Sequence, residues 1–206
     1  MDSKIKYILF DFDGTIANTF DYYRNLLKKQ DYYGIDDQTT TRFRGMNFWD
    51  VITELKIPLW KLAYLAWILK NRLNKDMELI APFEGIYELL KLINSKGIGI
   101  GILSINSKKN IEKFCKHNVI EPFIDDIWSV FILSEKDPAI GKILKTKKLQ
   151  KEEMLYVGDE IRDIKAAKKA GIKIAAVTWG ANTSDSLINN SPDYIINSPK
   201  ELELIL

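Results

Sequence analysis

Asp11 and Asp13 stand two residues apart at the end of a short apolar run, Tyr7-Ile8-Leu9-Phe10, and Gly14-Thr15 follows them. The run has the length and composition of a buried strand in a parallel sheet. In open α/β sheets, chemistry gathers just beyond the carboxyl ends of the strands, which is where these two acids fall. Residues i and i+2 of a strand share a face, so the two carboxylates aim at one point if extended geometry persists past Phe10. Gly14 permits a sharp turn there. Two acids against an apolar strand are costly without a compensating cation, and a divalent ion would supply one. The blander alternative is a helix cap beside a surface acid, because Asp is common just before a helix.

Two further apolar runs end in polar residues. Residues 98–103 lead into Ser104-Ile105-Asn106-Ser107, and residues 154–157 lead into Gly158-Asp159-Glu160-Ile161-Arg162-Asp163. If the three strands are parallel and adjacent, Asp11, Asp13, Ser104 and Asp159 surround one cavity. Oxygen donors of this kind suit a hard cation such as Mg2+. Zinc would call for His and Cys ligands. His117 is the single histidine, so a Ser-His-Asp triad is excluded. Cys115 is the single cysteine, which excludes an internal disulfide and reads as buried filler.

The elements that must position these residues alternate along the chain. Strand candidates fall at 7–10, 98–103, 127–133, 154–157, 172–177 and 194–196. Helical patterns fall at 16–29, 86–94, from 108, at 140–148 and 164–170, and from 199. Alternation of this kind predicts an α/β fold, a Rossmann-like parallel sheet with helices on both faces. Residues 31–41 are polar and loop-like. From residue 42 to about 78 the periodicity is helical, and Trp49, Trp60 and Trp67 lie there, three of the five tryptophans. Pro82-Phe83-Glu84-Gly85 punctuates the return to the strand-helix pattern. The expected division is an α/β core of residues 1–16 and 82–206, with a small helical insert at 17–81.

With 206 residues, 46% of them apolar, the chain can build one core plus an insert. A formal charge of +2 gives no case for a nucleic-acid partner or an anionic membrane surface. No apolar run approaches the ~20 residues of a membrane span. The N-terminal residues lack a signal-peptide pattern. A cytoplasmic protein without an obligate protein partner is the expectation.

Asp11-Phe12-Asp13-Gly14-Thr15, Ser104 after an apolar strand, a later lysine, and Gly158-Asp159-Glu160-Ile161-Arg162-Asp163 resemble the four motifs of the haloacid dehalogenase (HAD) superfamily. Within it the chain is most similar to the phosphoglycolate-phosphatase-like hydrolases. The likeness spans nearly the whole chain, including Pro82-Phe83-Glu84-Gly85 and Val177-Thr178-Trp179-Gly180. It implies Mg2+-dependent hydrolysis of a small phosphorylated metabolite through an aspartyl-phosphate. Asp11 would attack phosphorus, and Asp13 would protonate the leaving oxygen and later activate water. The metal would be held by an Asp11 oxygen, the Asp13 backbone carbonyl and Asp159, with Asp163 behind them. Ser104 and Asn106, with backbone N–H groups near Phe12, would bind the phosphoryl oxygens.

The family's phosphoryl-binding lysine has two candidates. Lys136 lies in Glu135-Lys136-Asp137-Pro138, where Pro138 is one residue late for the Lys-Pro pairing of many relatives. Lys142 follows Gly141 at an expected helix start, as in other relatives. Lys142 is therefore expected to carry the phosphoryl group, and Lys136 to sit in a solvated ion pair with its acidic neighbours. The insert resembles a family cap, in which Arg42, Arg44 and Gly45 would face the substrate. A phosphomutase on the same fold and a catalytically silent binding protein are the alternatives. A dehalogenase does not need Asp13.

Overall fold

The structure, a computed structural model, describes residues 5–19, 22, 46, 53–54, 74–131 and 134–206. Most of the expected insert, including Arg42, Arg44 and Gly45, lies outside the described residues.

Six parallel strands form one sheet: β1 (Tyr7–Phe10), β2 (Gly99–Ser104), β3 (Asp126–Ser129), β4 (Met154–Gly158), β5 (Lys173–Val177) and β6 (Tyr194–Ile196). Their spatial order is β3-β2-β1-β4-β5-β6. The order reverses around β1, so the strand ends at β1, β2 and β4 flank a switch point where open α/β sheets bind ligands. The described helices beyond residue 80 are α1 (Ile86–Ser95), α2 (Lys108–His117), α3 (Asp137–Lys147), α4 (Ile161–Ala170), α5 (Ser184–Ile188) and α6 (Pro199–Leu202).

All four residues of β1 are buried because both sheet faces are covered. Ile8 and Phe10 pack in one cluster with residues of α1, α2 and α6. Tyr7 and Leu9 pack in another with residues of α3, α4 and α5. Phe12 joins the first cluster, meeting Phe114 of α2 edge-on at 5.0 Å between ring centroids. Cys115 is buried beside Phe114, as filler.

Three expected boundaries shift. The chain does not enter a helix at Ile16. The Phe12 carbonyl accepts from the N–H groups of Ile16 and Ala17, closing a turn, and helical geometry is first met at Thr19. β3 begins at Asp126 and ends at Ser129, well short of residue 133. α3 begins at Asp137 instead of Ile140, with Pro138 in its first turn. Proline is tolerated there because its missing N–H has no helical partner in any case. Lys136 is thereby the residue that precedes the helix, and Lys142 sits in its second turn.

The outgoing and returning chains meet at the base of the expected insert. Ala17 bridges Pro82, Asn18 N–H donates to Ala81 O at 3.0 Å, and Phe83 N–H donates to Ile16 O at 3.0 Å. Among the described residues no helix is long and apolar enough to cross a membrane.

Candidate active site

β1 lies between β2 and β4, and Phe10 is in register with Ile102 on one side and Val157 on the other. Asp11 stands one residue past this line, and Ser104 and Asp159 two. All three therefore emerge at the same edge of the sheet. Asp11 extends the ladder by one bond, its N–H donating to Val157 O at 2.8 Å. Its Oδ1 accepts from Phe12 N–H at 2.7 Å.

The cation at Asp11 is Lys136. Its Nζ lies 2.8 Å from Asp11 Oδ2, donates to Asp163 Oδ1 at 2.8 Å, and donates to the Tyr156 hydroxyl at 2.9 Å. Lys136 is 4% exposed, which corrects the expected solvated ion pair. Lys142, the expected phosphoryl ligand, is exposed on the outer side of α3. The reason is the helix start: with α3 opening at Asp137, residue 136 is aimed at the strand ends and residue 142 has already turned away.

Asp163 is buried and fully occupied. Its Oδ1 also accepts from the Tyr156 hydroxyl at 3.1 Å, and its Oδ2 accepts from Glu160 N–H at 3.1 Å, part of a reciprocal cap at the start of α4. Asp159 is buried between two loops. Its Oδ1 accepts from Thr15 Oγ1 and its Oδ2 from Ala181 N–H, both at 2.7 Å. A side chain on Gly14 or Gly180 would place Cβ within 2.3 Å of Asp159 Oδ2. Glycine at both positions is what lets the two loops close on that carboxylate.

Asp13 has different partners. The chain bends at Phe12, and the Asp13 carboxylate accepts from Ser104 Oγ at 3.3 Å and from Asn106 Nδ2 at 3.3 and 3.4 Å. Ser104 Oγ in turn accepts from Asn106 N–H at 3.0 Å. The structure thus brings Asp11, Asp13, Ser104, Asn106, Asp159 and Asp163 to one edge, adds Lys136, and leaves Lys142 outside.

Burial governs the titration of these groups. It lifts the Asp11 carboxyl to about 7, with Lys136 opposing. Burial, then the charges of Glu160, Asp11 and Asp163, push Asp159 well above the usual carboxylate range. Burial raises Asp13 as well, against the hydrogen bonds of Thr19, Asn106 and Ser104. Burial would also raise Asp163, but Lys136 and Arg162 outweigh it and hold the group below its ordinary value. Burial disfavours the Lys136 ammonium, yet Asp11 and Asp163 more than compensate and keep it charged.

One oxygen from each of Asp11, Asp159 and Asp163 lies within 4.8 Å of the other two. Burial opposes ionisation of Asp11 and Asp159, and Lys136 is the cation in direct contact with the cluster, so a bound cation would be needed to hold all three as carboxylates. Asp11 Oδ2 has an ion-pair neighbour but no aligned hydrogen bond. An all-oxygen donor set of this kind fits a hard divalent cation.

Tyr156, Thr15 and Ala181 were not singled out from sequence. Tyr156 left a signal: a phenol inside an otherwise apolar strand needs a polar partner for its hydroxyl. Ala181 acts through its backbone N–H and leaves no signal in residue type.

Residues 8–177 match the haloacid dehalogenase-like hydrolase family. The chain is 28% identical to a phosphoglycolate phosphatase of Synechococcus elongatus over 199 residues, 95% of this chain and 94% of that protein. It is 26% identical to pyrophosphatase PpaX of Bacillus anthracis over 218 residues, 98% of this chain and 97% of that protein. Among solved structures, a haloacid dehalogenase-like hydrolase from Streptococcus pneumoniae superposes with a TM-score of 0.82 at 24% identity, covering 98% of each chain. That likeness speaks to the fold.

Proposed function

We propose, for a chain that belongs to the haloacid dehalogenase-like hydrolases, that it is a Mg2+-dependent phosphatase of small phosphomonoesters, phosphoglycolate-like in size and charge. The observation that carries this reading is the buried Lys136–Asp11 pair, 2.8 Å apart at the strand ends, with Asp13 held alongside by Ser104 and Asn106. The likeness to a phosphoglycolate phosphatase supports the substrate class.

In the reaction, an Asp11 carboxylate oxygen attacks phosphorus while the bond from phosphorus to the leaving oxygen breaks. Asp13 gives that oxygen its proton, a task suited to a carboxyl raised by burial. Water then attacks the aspartyl-phosphate, Asp13 takes its proton back, and the Asp11–phosphorus bond breaks to release phosphate. Lys136 and the Ser104 hydroxyl face the equatorial oxygens, where charge spreads in the transition state, while the Asn106 amide stays on Asp13. Asp11, Asp159 and the Asp13 backbone carbonyl would hold Mg2+, with Asp163 fixing Lys136 behind them. The ion supplies Lewis-acid screening between Asp11 and an anionic phosphoryl group. The pairing of the outgoing and returning chains where Ala17 meets Pro82 supports reading residues 17–81 as an inserted unit, the part of the chain to which the choice of substrate is assigned.

Asp11→Asn tests the core of the proposal. It should abolish release of inorganic phosphate and covalent labelling by substrate, with the melting profile retained. Undiminished turnover would sink the mechanism. The likeness to PpaX favours a second reading, cleavage of inorganic pyrophosphate by the same groups. Turnover of 2-phosphoglycolate and of pyrophosphate, measured side by side with Mg2+, ranks the two. Stoichiometric phosphate release also separates a hydrolase from a phosphomutase.

A further inference from the structure

Asn110 is a buried amide in the first turn of α2, where its buried neighbours Ile111, Phe114 and Cys115 are apolar. Both of its side-chain N–H groups are used. Asn110 Nδ2 donates to Asn106 Oδ1 at 3.0 Å and to Asn74 Oδ1 at 2.6 Å. Asn106 Oδ1 also accepts from Ser107 N–H at 2.8 Å. Two donors therefore fix which end of the Asn106 amide is oxygen, and the Nδ2 end is left facing both oxygens of Asp13. Were the Asn106 amide reversed, its oxygen would face a carboxylate. Asn74 stands at the other end of this chain of amides, in the helical residues 74–76 that lead into Met77–Leu79 and back to the core. The same segment is fastened along α2 by Lys113, which donates to Lys75 O at 3.4 Å and pairs with Glu78 at 3.5 Å.

We propose that Asn110 is a positioning residue for Asp13, acting through Asn106, and that Asn74 ties this setting to the segment returning from residues 17–81. It rests on the reading of Asp13 as the acid that protonates the leaving oxygen. Asn110 touches neither substrate nor the reacting atoms. Its effect is confined to the direction in which Asp13 is held, and so to substrates whose leaving group needs the proton.

The test is leaving-group selectivity. Phenoxide departs from phosphorus with help from an acid, whereas 2,4-dinitrophenoxide departs without it. The readout is kcat/KM on phenyl phosphate and on 2,4-dinitrophenyl phosphate, because it reports the step in which the leaving oxygen departs. Asn110→Asp keeps the shape and removes both N–H donors. It should lower kcat/KM on phenyl phosphate on the order of 10-fold, part of the 10²–10⁴ that general acid catalysis supplies, and on the dinitrophenyl ester less than about 2-fold. Asn74→Ala, at an exposed position that does not threaten folding, should show the same selectivity at about 3-fold. Equal losses on both esters, or none, in both variants would overturn the proposal. Asp13→Asn is the control. If it is selective and the Asn110 and Asn74 variants are not, the positioning role fails while the acid stands. If Asp13→Asn is itself unselective, the acid assignment fails and the positioning role with it.

Discussion

Lys136 shows how much one side chain decides here. Its ammonium is shared among Asp11, Asp163 and the Tyr156 hydroxyl, with almost no access to water. Removing it strips positive charge from the place where a phosphoryl group would sit, and it also leaves Asp11 and Asp163 buried without the cation that contacts them. Lys136→Ala should lower kcat on the order of 10²-fold or more. It should also lower stability by up to about 3–5 kcal/mol in the metal-free protein, as removal of one partner from a buried ion pair does. Lys136→Arg should not restore the rate, because a planar fork cannot replace a compact ammonium held by three oxygens. Lys142→Ala, on an exposed helix face, should change neither rate nor stability by more than about 0.5 kcal/mol. Kinetics and thermal melts on the three variants check this, and a collapse in Lys142→Ala alone would reverse the assignment.

At the scale of elements, the loops after β1, β4 and β5 are built around one carboxylate. Thr15 and Ala181 donate to Asp159 from opposite sides, and glycine at positions 14 and 180 makes the room. Gly180→Ala would put Cβ 2.3 Å from Asp159 Oδ2, so the carboxylate must shift or the loop must open. Weaker Mg2+ affinity is expected, at least 10-fold on the scale seen when groups that orient a ligand are lost, and titration of activity against Mg2+ would detect it. The glycine of α3 behaves in the opposite way. A Cβ on Gly141 meets nothing within 4 Å, and the residue lies inside the helix. Gly141→Ala should therefore raise stability by about 0.5–1 kcal/mol with unchanged kcat. A drop in activity there would show that the Gly141-Lys142 pair does have a part in the site.

For the whole molecule, the carboxylate cluster links stability to pH and to metal. Asp11, Asp13 and Asp159 have folded values raised by burial, so across the range between an ordinary carboxyl and about 7, the value of Asp11, the folded chain binds more protons than the unfolded one. Stability from these groups is present below their unfolded values of about 4 and is lost as pH rises through the folded ones. Asp163, held low, works in the reverse sense at lower pH. In EDTA the melting temperature should fall between about pH 5 and pH 7. A bound divalent ion favours the ionised carboxylates, so the rise in melting temperature on adding Mg2+ should be larger at pH 7 than at pH 5. Thermal melts at the two pH values with EDTA or Mg2+ measure both effects. A Mg2+ response that shrinks toward neutral pH would contradict the metal assignment.

What the sequence determined by itself is local. Short apolar runs ending in Asp11, Ser104 and Asp159 marked strands and their carboxyl ends, because strand length, apolar run and turn residues are properties of neighbours in the chain. The parallel α/β class followed from their alternation with helical patterns. The strand order around β1, which makes those three ends adjacent, and which of Lys136 and Lys142 is buried against Asp11, were decided only in three dimensions. Pro138 is a legible sign that α3 opens near Asp137, since proline belongs in a first helical turn, but Gly141-Lys142 resembles a helix start just as well from local pattern alone. No local pattern tells that Tyr156 and Asp163, 20 and 27 residues beyond Lys136, would meet its ammonium. That contact depends on how α3 and α4 pack against β4. A buried charge is tolerated only where its counter-charges converge, and in this protein three separate elements bring them together.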